Sequence, residues 1–122
     1  YDHNFVLDRT PAEEEAKELG LGEDAACPVD YTKLHKLAHV YAEKTGVYMR
    51  AYTTQPGVQF YSGNHLDGVL SGKAGAAFAP RAGFTLEAQV FPDAVHHANF
   101  PQSILRPGKE WRAQTVFAFG LA

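Results

Sequence analysis

Cysteine is nearly absent from this chain: Cys27 is the only one among 122 residues, beside a single methionine, Met49, and a single tryptophan, Trp111. One thiol cannot close an internal disulfide or build a cysteine cage for zinc. No asparagine (Asn4, Asn64 or Asn99) begins an N-x-Ser/Thr sequon, so N-glycosylation is excluded. Long apolar runs are missing too. Ala76–Pro80 is among the longest, far short of the ~20 residues a membrane-spanning helix needs. Charge of one sign is also lacking. Lys plus Arg number 11 and Asp plus Glu 14, a net charge of −3. Such a chain has no cationic excess with which to bind a phosphate backbone or an anionic lipid surface, so neither nucleic acid nor membrane is an expected partner. There is no Gly-rich phosphate loop of the usual spacing and no G-x-S-x-G elbow.

What is present is a chain that is 45% hydrophobic and 20% charged, long enough for one domain with a core. Many short strand-like segments separated by Gly and Pro predict an all-β sandwich. Phe5-Val6-Leu7 reads as a strand, and the chain opens on it without an initiating Met. The expectation is that an upstream part was removed or forms a separate piece. Thr10 as N-cap, Pro11 at the first position, Glu13 completing a capping box and the Glu13/Lys17 pair predict a short surface helix near residues 10–20, stopped by Gly20 or Gly22. Residues 31–54 carry two patterns. Leu34, Leu37, Ala38 and Tyr41 fit a helix, whereas Ala38, Val40, Ala42 and then Val47, Met49, Ala51 alternate around a Lys44–Gly46 turn. The β-branched and aromatic residues continuing to Thr54 favour a hairpin from about Leu37. Val58–Tyr61 is a short strand and residues 66–83 a long loop. Gly83–Val90 alternates, with Phe84, Leu86, Ala88 and Val90 on one face. Residues 91–108, interrupted by Pro92, Pro101 and Pro107, read as an irregular loop. Trp111–Phe119 reads as a closing strand, with Trp111, Thr115, Phe117 and Phe119 on one side.

Three polar groupings could carry chemistry. Glu87 shares a strand face with Thr85 and Gln89. That face is either the solvated outside of an edge strand or a polar cleft in which a rigid strand holds a general base. Gln59 and Tyr61 share a face opposite Val58 and Phe60, which suits either a sugar, with an amide for hydroxyls and a ring for its C–H face, or plain cross-strand packing. Asp2 and Asn4 fall on one side of the first strand and offer a carboxylate and an amide. The histidines make a poor metal site. His96 and His97 are adjacent and diverge in an extended chain, while a hairpin removes the helical i, i+4 spacing of His35 and His39.

Taken together, these segments resemble the C-terminal part of the aldose 1-epimerase (galactose mutarotase) family. The resemblance rests on Tyr1-Asp2-His3-Asn4-Phe5, on Tyr52-Thr53-Thr54-Gln55-Pro56-Gly57-Val58-Gln59-Phe60-Tyr61, on Gly63-Asn64 with Leu66-Asp67-Gly68, and on Gly83-Phe84 with Leu86-Glu87 and Gln89. Phe91-Pro92-Asp93, Asn99-Phe100-Pro101 and Leu105-Arg106-Pro107-Gly108 follow in order. It covers nearly the whole chain outside an apparent insertion at about 9–35.

The resemblance implies part of a single mutarotase-like β-supersandwich that interconverts the α and β anomers of hexoses such as glucose and galactose. It implies Glu87 as the catalytic base, Asp2 and Gln59 as substrate-binding residues, and chemistry without metal or other cofactor. It also implies that the general acid and further sugar-clamping residues lie upstream. None of His3, His35, His39, His65, His96 or His97 takes the acid's position. The implied partners are thus a hexose and the upstream N-terminal part of the same enzyme, and the expected setting is cytoplasmic. Ala88, Arg81-Ala82 and His96-His97-Ala98 depart from the family pattern around the cleft. Two rival expectations accompany this one. The chain could serve a non-catalytic carbohydrate-binding or structural subunit on the same scaffold. It could instead belong to a hexose-6-phosphate epimerase, for which Arg81 is the nearby basic candidate.

Overall fold

A computed structural model describes residues 1–10, 12, 14, 17, 20 and 29–122. The predicted helix near residues 10–20 lies for the most part outside them, as do Pro11, Glu13 and much of the proposed 9–35 insertion. Of that helix's stop signals, Gly20 is described. It has φ of +64°, and its N–H donates to Lys17 O at 2.9 Å, the left-handed closure expected of a glycine there.

The fold is all-β, with six strands among the described residues. They are β1 (Asp2–Val6), β2 (His35–Ala42), β3 (Val47–Thr53), β4 (Gly57–Tyr61), β5 (Thr85–Gln89) and β6 (Thr115–Leu121). They form two antiparallel sheets, ordered β1-β4-β5 and β2-β3-β6. Short 3-10 turns at Tyr31–Lys33, Lys73–Gly75 and Ala94–His96 interrupt the described connections. No helix among the described residues is long and apolar enough to cross a membrane.

The core lies between the sheets and is made of small and medium side chains. Leu37, Ala51 and Val58 are buried together, packed against Leu7, Ala38, Leu86 and Ala88. Burial of this kind contributes about 25 cal/mol per Å² of apolar surface. On the outer face of the second sheet, Tyr52 and Leu34 form a second cluster with Ala12, Val29 and Val116. The segment feeding that cluster is pinned by Asp30. Its carboxylate meets Lys33 Nζ at 2.7 Å and the Thr32 hydroxyl at 2.6 Å. First the Lys33 and then the Thr32 contact hold that carboxyl below its ordinary 3.8.

The passage between the sheets is short: the chain leaves β3 at Thr53 and enters β4 at Gly57. Backbone groups there would be orphaned without side-chain help. Buried Thr53 Oγ1 donates to Gln114 O at 3.1 Å and accepts the Gln55 N–H at 3.2 Å, while Thr54 Oγ1 accepts the Gln114 N–H at 3.1 Å. Leu7 N–H donates to Pro56 O at 3.0 Å, extending the β1–β4 ladder past its last pair.

The hairpin reading of residues 35–53 holds, with β2 beginning at His35 and a bulge at Leu37 between Lys36 and Ala38. The last strand differs from expectation. Trp111 stands before it, 64% exposed, because β6 starts at Thr115, where pairing to β3 begins. Pairing also places Phe117, Phe119 and Leu121 on the face of Ala51 and Met49. Phe119 and Leu121 are nonetheless 70% and 76% exposed.

Gly63 makes the turn out of β4. Its φ is +72°, and a Cβ there would come within 2.7 Å of Gly83 O, a backbone atom with little room to move. The left-handed penalty and the steric clash add, so Gly63→Ala should lower unfolding free energy by at least about 2 kcal/mol in urea titration. An unchanged midpoint would show that the turn relaxes freely.

Candidate functional site

Antiparallel pairing collects polar side chains on one face of the first sheet. Asn4, Gln59 and Glu87 stand opposite one another across β1, β4 and β5, and Asp2, Tyr61 and Thr85 form the next row. Gln89 follows at the level of Gly57. Opposite residues on neighbouring strands share a face, so seven positions of polar or aromatic character point the same way. The other face carries His3, Phe5, Val58, Phe60, Leu86 and Ala88, of which Val58, Leu86 and Ala88 meet the core.

The polar face is organised by two side-chain bonds. Gln59 Nε2 donates to Asp2 Oδ1 at 2.7 Å, reaching diagonally across the ladder. Thr85 Oγ1 donates to Glu87 Oε1 at 2.9 Å along β5. Asp2, Gln59, Tyr61, His65, Glu87, Gln89 and Pro92 line one open, solvent-facing cavity of about 340 Å³, in which Asp2, His65 and Glu87 are exposed. That volume falls in the range of small-ligand sites, about 300–1,000 Å³. The three residues singled out in the sequence, Asp2, Gln59 and Glu87, are therefore brought to one place. Beneath them, Gln59 Oε1 and Asn4 Nδ2 are buried with no hydrogen-bond partner among the described residues. Asn4 is held close to Gly57, where a Cβ would stand 3.0 Å from Asn4 Oδ1.

The chemistry of this wall is that of hydroxyl recognition. Two carboxylates accept hydrogen bonds, two primary amides both donate and accept, and an aromatic ring gives an apolar patch. Arg81 is not among the lining residues; its Nε donates to Asn64 Oδ1 at 3.4 Å outside the cavity. Two acids and no Lys or Arg make the described wall hostile to a phosphorylated ligand. Among the described residues no group of three or more His, Cys, Asp or Glu is arranged to hold a metal ion.

The adjacent His96 and His97 behave differently from the extended-chain expectation. The 3-10 turn at Ala94–His96 bends the chain, so both rings reach the Asp93 carboxylate: His96 through Nδ1, and His97 through Nε2 at 3.4 Å. This pairing braces the loop that carries Pro92. Gln102 Nε2 adds bonds to Ala94 O, His97 O and Phe100 O at 3.1–3.3 Å.

His65 also lines the cavity, a place that strand periodicity does not assign to it. The available signal was the Ser62-Gly63-Asn64 turn, which folds the following residue back over Tyr61 (rings 6.0 Å apart, planes at 10°).

A sequence profile of the aldose 1-epimerase family matches residues 1–118, and the chain belongs to that family. It is similar to galactose mutarotase of Bos taurus, 49% identical over 122 residues, covering 100% of this chain and 30% of that protein. Galactose mutarotase of Homo sapiens is 50% identical over 88 residues, which cover 72% of this chain and 26% of that protein. Aldose 1-epimerase of Escherichia coli (strain K12) is 38% identical over 121 residues, 98% of this chain and 29% of that protein. The chain thus spans less than a third of the length of the curated relatives it matches.

The Asp2–Gln59 contact can be tested without any substrate. Gln59→Glu would set a second carboxylate where the amide now lies 2.7 Å from Asp2. Like charges so close disfavour double ionisation, so NMR titration of the variant should show one carboxyl displaced well above the usual carboxylate range. Two ordinary titrations would contradict the geometry.

Proposed function

We propose that this chain contributes the base and the hydroxyl-binding wall of an aldose 1-epimerase, which interconverts the α and β anomers of a free hexose. The observation that carries the proposal is the convergence of Asp2, Gln59 and Glu87 from three neighbouring strands on one cavity of sugar size. Membership of the aldose 1-epimerase family supports the same reading.

The reaction follows from what these groups can do. Glu87, ionised, takes the proton of the anomeric hydroxyl. As the C1–O1 bond gains double-bond character, the bond from C1 to the ring oxygen breaks and that oxygen takes a proton from a general acid. The result is an open-chain aldehyde. Rotation about C1–C2 presents its other face, the ring oxygen attacks C1, and the two protons return. No electrons are transferred and the sugar's composition is unchanged. Asp2 and Gln59, tied together, fix the other hydroxyls so that the reacting carbon stays over Glu87. The acid belongs to the portion upstream of these 122 residues. Support for a missing complement comes from the length of the relatives and from the open apolar row of Phe117, Phe119 and Leu121, which further strands would cover.

Replacing the base by an isosteric amide removes proton abstraction and keeps shape. Glu87→Gln in the full-length enzyme should lower kcat by about 10²–10⁴-fold, with KM changed far less, in polarimetry started from pure α-anomer. Asp2→Ala should mainly weaken binding, by about 1–3 kcal/mol. Near wild-type kcat in Glu87→Gln, with binding retained, would instead indicate a carbohydrate-binding role. A further expectation is that the 122 residues alone give no mutarotation above background. Substantial isolated activity would show that the acid lies within them.

A further inference from the structure

One titratable side chain in the cavity has no part in the reaction above. His65 follows the Gly63 turn, which is tied by Arg81 N–H and Leu66 N–H to Gly63 O at 2.9 and 3.3 Å. The His65 backbone N–H donates to the Tyr61 hydroxyl at 2.9 Å, and its ring lies parallel to the Tyr61 ring, 6.0 Å between centroids and 10° between planes. An exposed imidazole is thereby placed by its backbone bond and lies parallel to the Tyr61 ring. The Tyr61 hydroxyl oxygen accepts that bond and keeps its own proton, and among the described residues no side chain or backbone group bonds the ring nitrogens of His65.

Bonding capacity around the cavity shows what those nitrogens would do. Asp2 and Glu87 can only accept when ionised. The Gln59 NH₂ gives one of its two hydrogens to Asp2, leaving the second, the Gln89 NH₂ and the Tyr61 O–H as the wall's other donors. A hexose that gives its hydroxyl protons to two carboxylates still presents oxygens in need of donors. A neutral imidazole brings one N–H and one bare nitrogen on a flat, restrained ring, so ordering it costs little.

We propose that His65 is a sugar-binding residue that hydrogen-bonds a hexose hydroxyl through its ring edge and, with Tyr61, sets which hexose epimer the cavity prefers. The proposal rests on the mutarotase reading and adds to it a determinant of substrate choice.

The test uses the full-length protein and equilibrium titration calorimetry with D-glucose and D-galactose, a readout that does not require turnover. His65→Phe keeps a stackable ring and removes both nitrogens; His65→Gln restores a donor and an acceptor. Expected for His65→Phe is a Kd raised about threefold to tenfold for at least one sugar, the factor one hydrogen bond is worth. The ratio of the two Kd values should shift by at least about threefold, with part of the wild-type ratio recovered in His65→Gln. Unaltered Kd values in His65→Phe, in a protein whose Glu87→Gln variant loses turnover, would overturn the His65 assignment alone. A fall in kcat of about 10²-fold or more at constant Kd would make His65 an acid and overturn it as well. Absence of binding of either sugar to the wild-type protein would overturn the mutarotase reading and this proposal with it.

Discussion

The pairing register of β4 with its two neighbours is the constraint on which the site depends. Because strand side chains alternate, a slip of one residue would send Gln59 and Tyr61 into the core and bring Val58 and Phe60 out to the cavity. The register is held from both ends. At the entry, Pro56 accepts the Leu7 N–H and the hydroxyls of Thr53 and Thr54 secure the crossing from the other sheet. At the exit, Gly63 turns the chain at a φ that L-residues avoid, directly beneath Gly83 O. In the alignment between those clamps Asp2 lies within reach of the Gln59 amide, 2.7 Å away.

The same alternation divides the energetics. One face of the β1-β4-β5 sheet holds polar groups, two of whose atoms, Asn4 Nδ2 and Gln59 Oε1, are buried without partners among the described residues. Such groups destabilise a fold by roughly 1–3 kcal/mol each. The opposite face offsets this with a modest core of Val58, Leu86 and Ala88 against Leu37 and Ala51. The second sheet continues beyond that core as an exposed apolar row, larger than isolated surface residues would explain. Site and row belong to a chain that spans under a third of its relatives' length.

Much of this was legible in the residues because period-2 patterning survives wherever one strand face is buried. The alternation of Leu86, Glu87, Ala88 and Gln89 marked β5 and its polar face, and the turn at Lys44–Gly46 located the hairpin against a competing helical pattern. Trp111 was misplaced because an aromatic in phase with Phe117 and Phe119 resembles a strand residue, whereas backbone pairing to β3 begins only at Thr115. Two features depend on turn geometry that periodicity does not encode. His96 and His97 converge on Asp93 through a 3-10 bend, and His65 reaches the cavity through the left-handed Gly63. The diagonal bond from Gln59 to Asp2 is equally invisible in sequence, since it requires knowing that β1 pairs with β4.

A crystal structure of the full-length protein with bound galactose is the most direct measurement of the central claim. The account predicts one hexose in the cavity, its hydroxyls within hydrogen-bond distance of Asp2 and Gln59 and its anomeric hydroxyl on Glu87. A sugar bound elsewhere, with Glu87 turned to bulk solvent and Gln59 untouched, would contradict it.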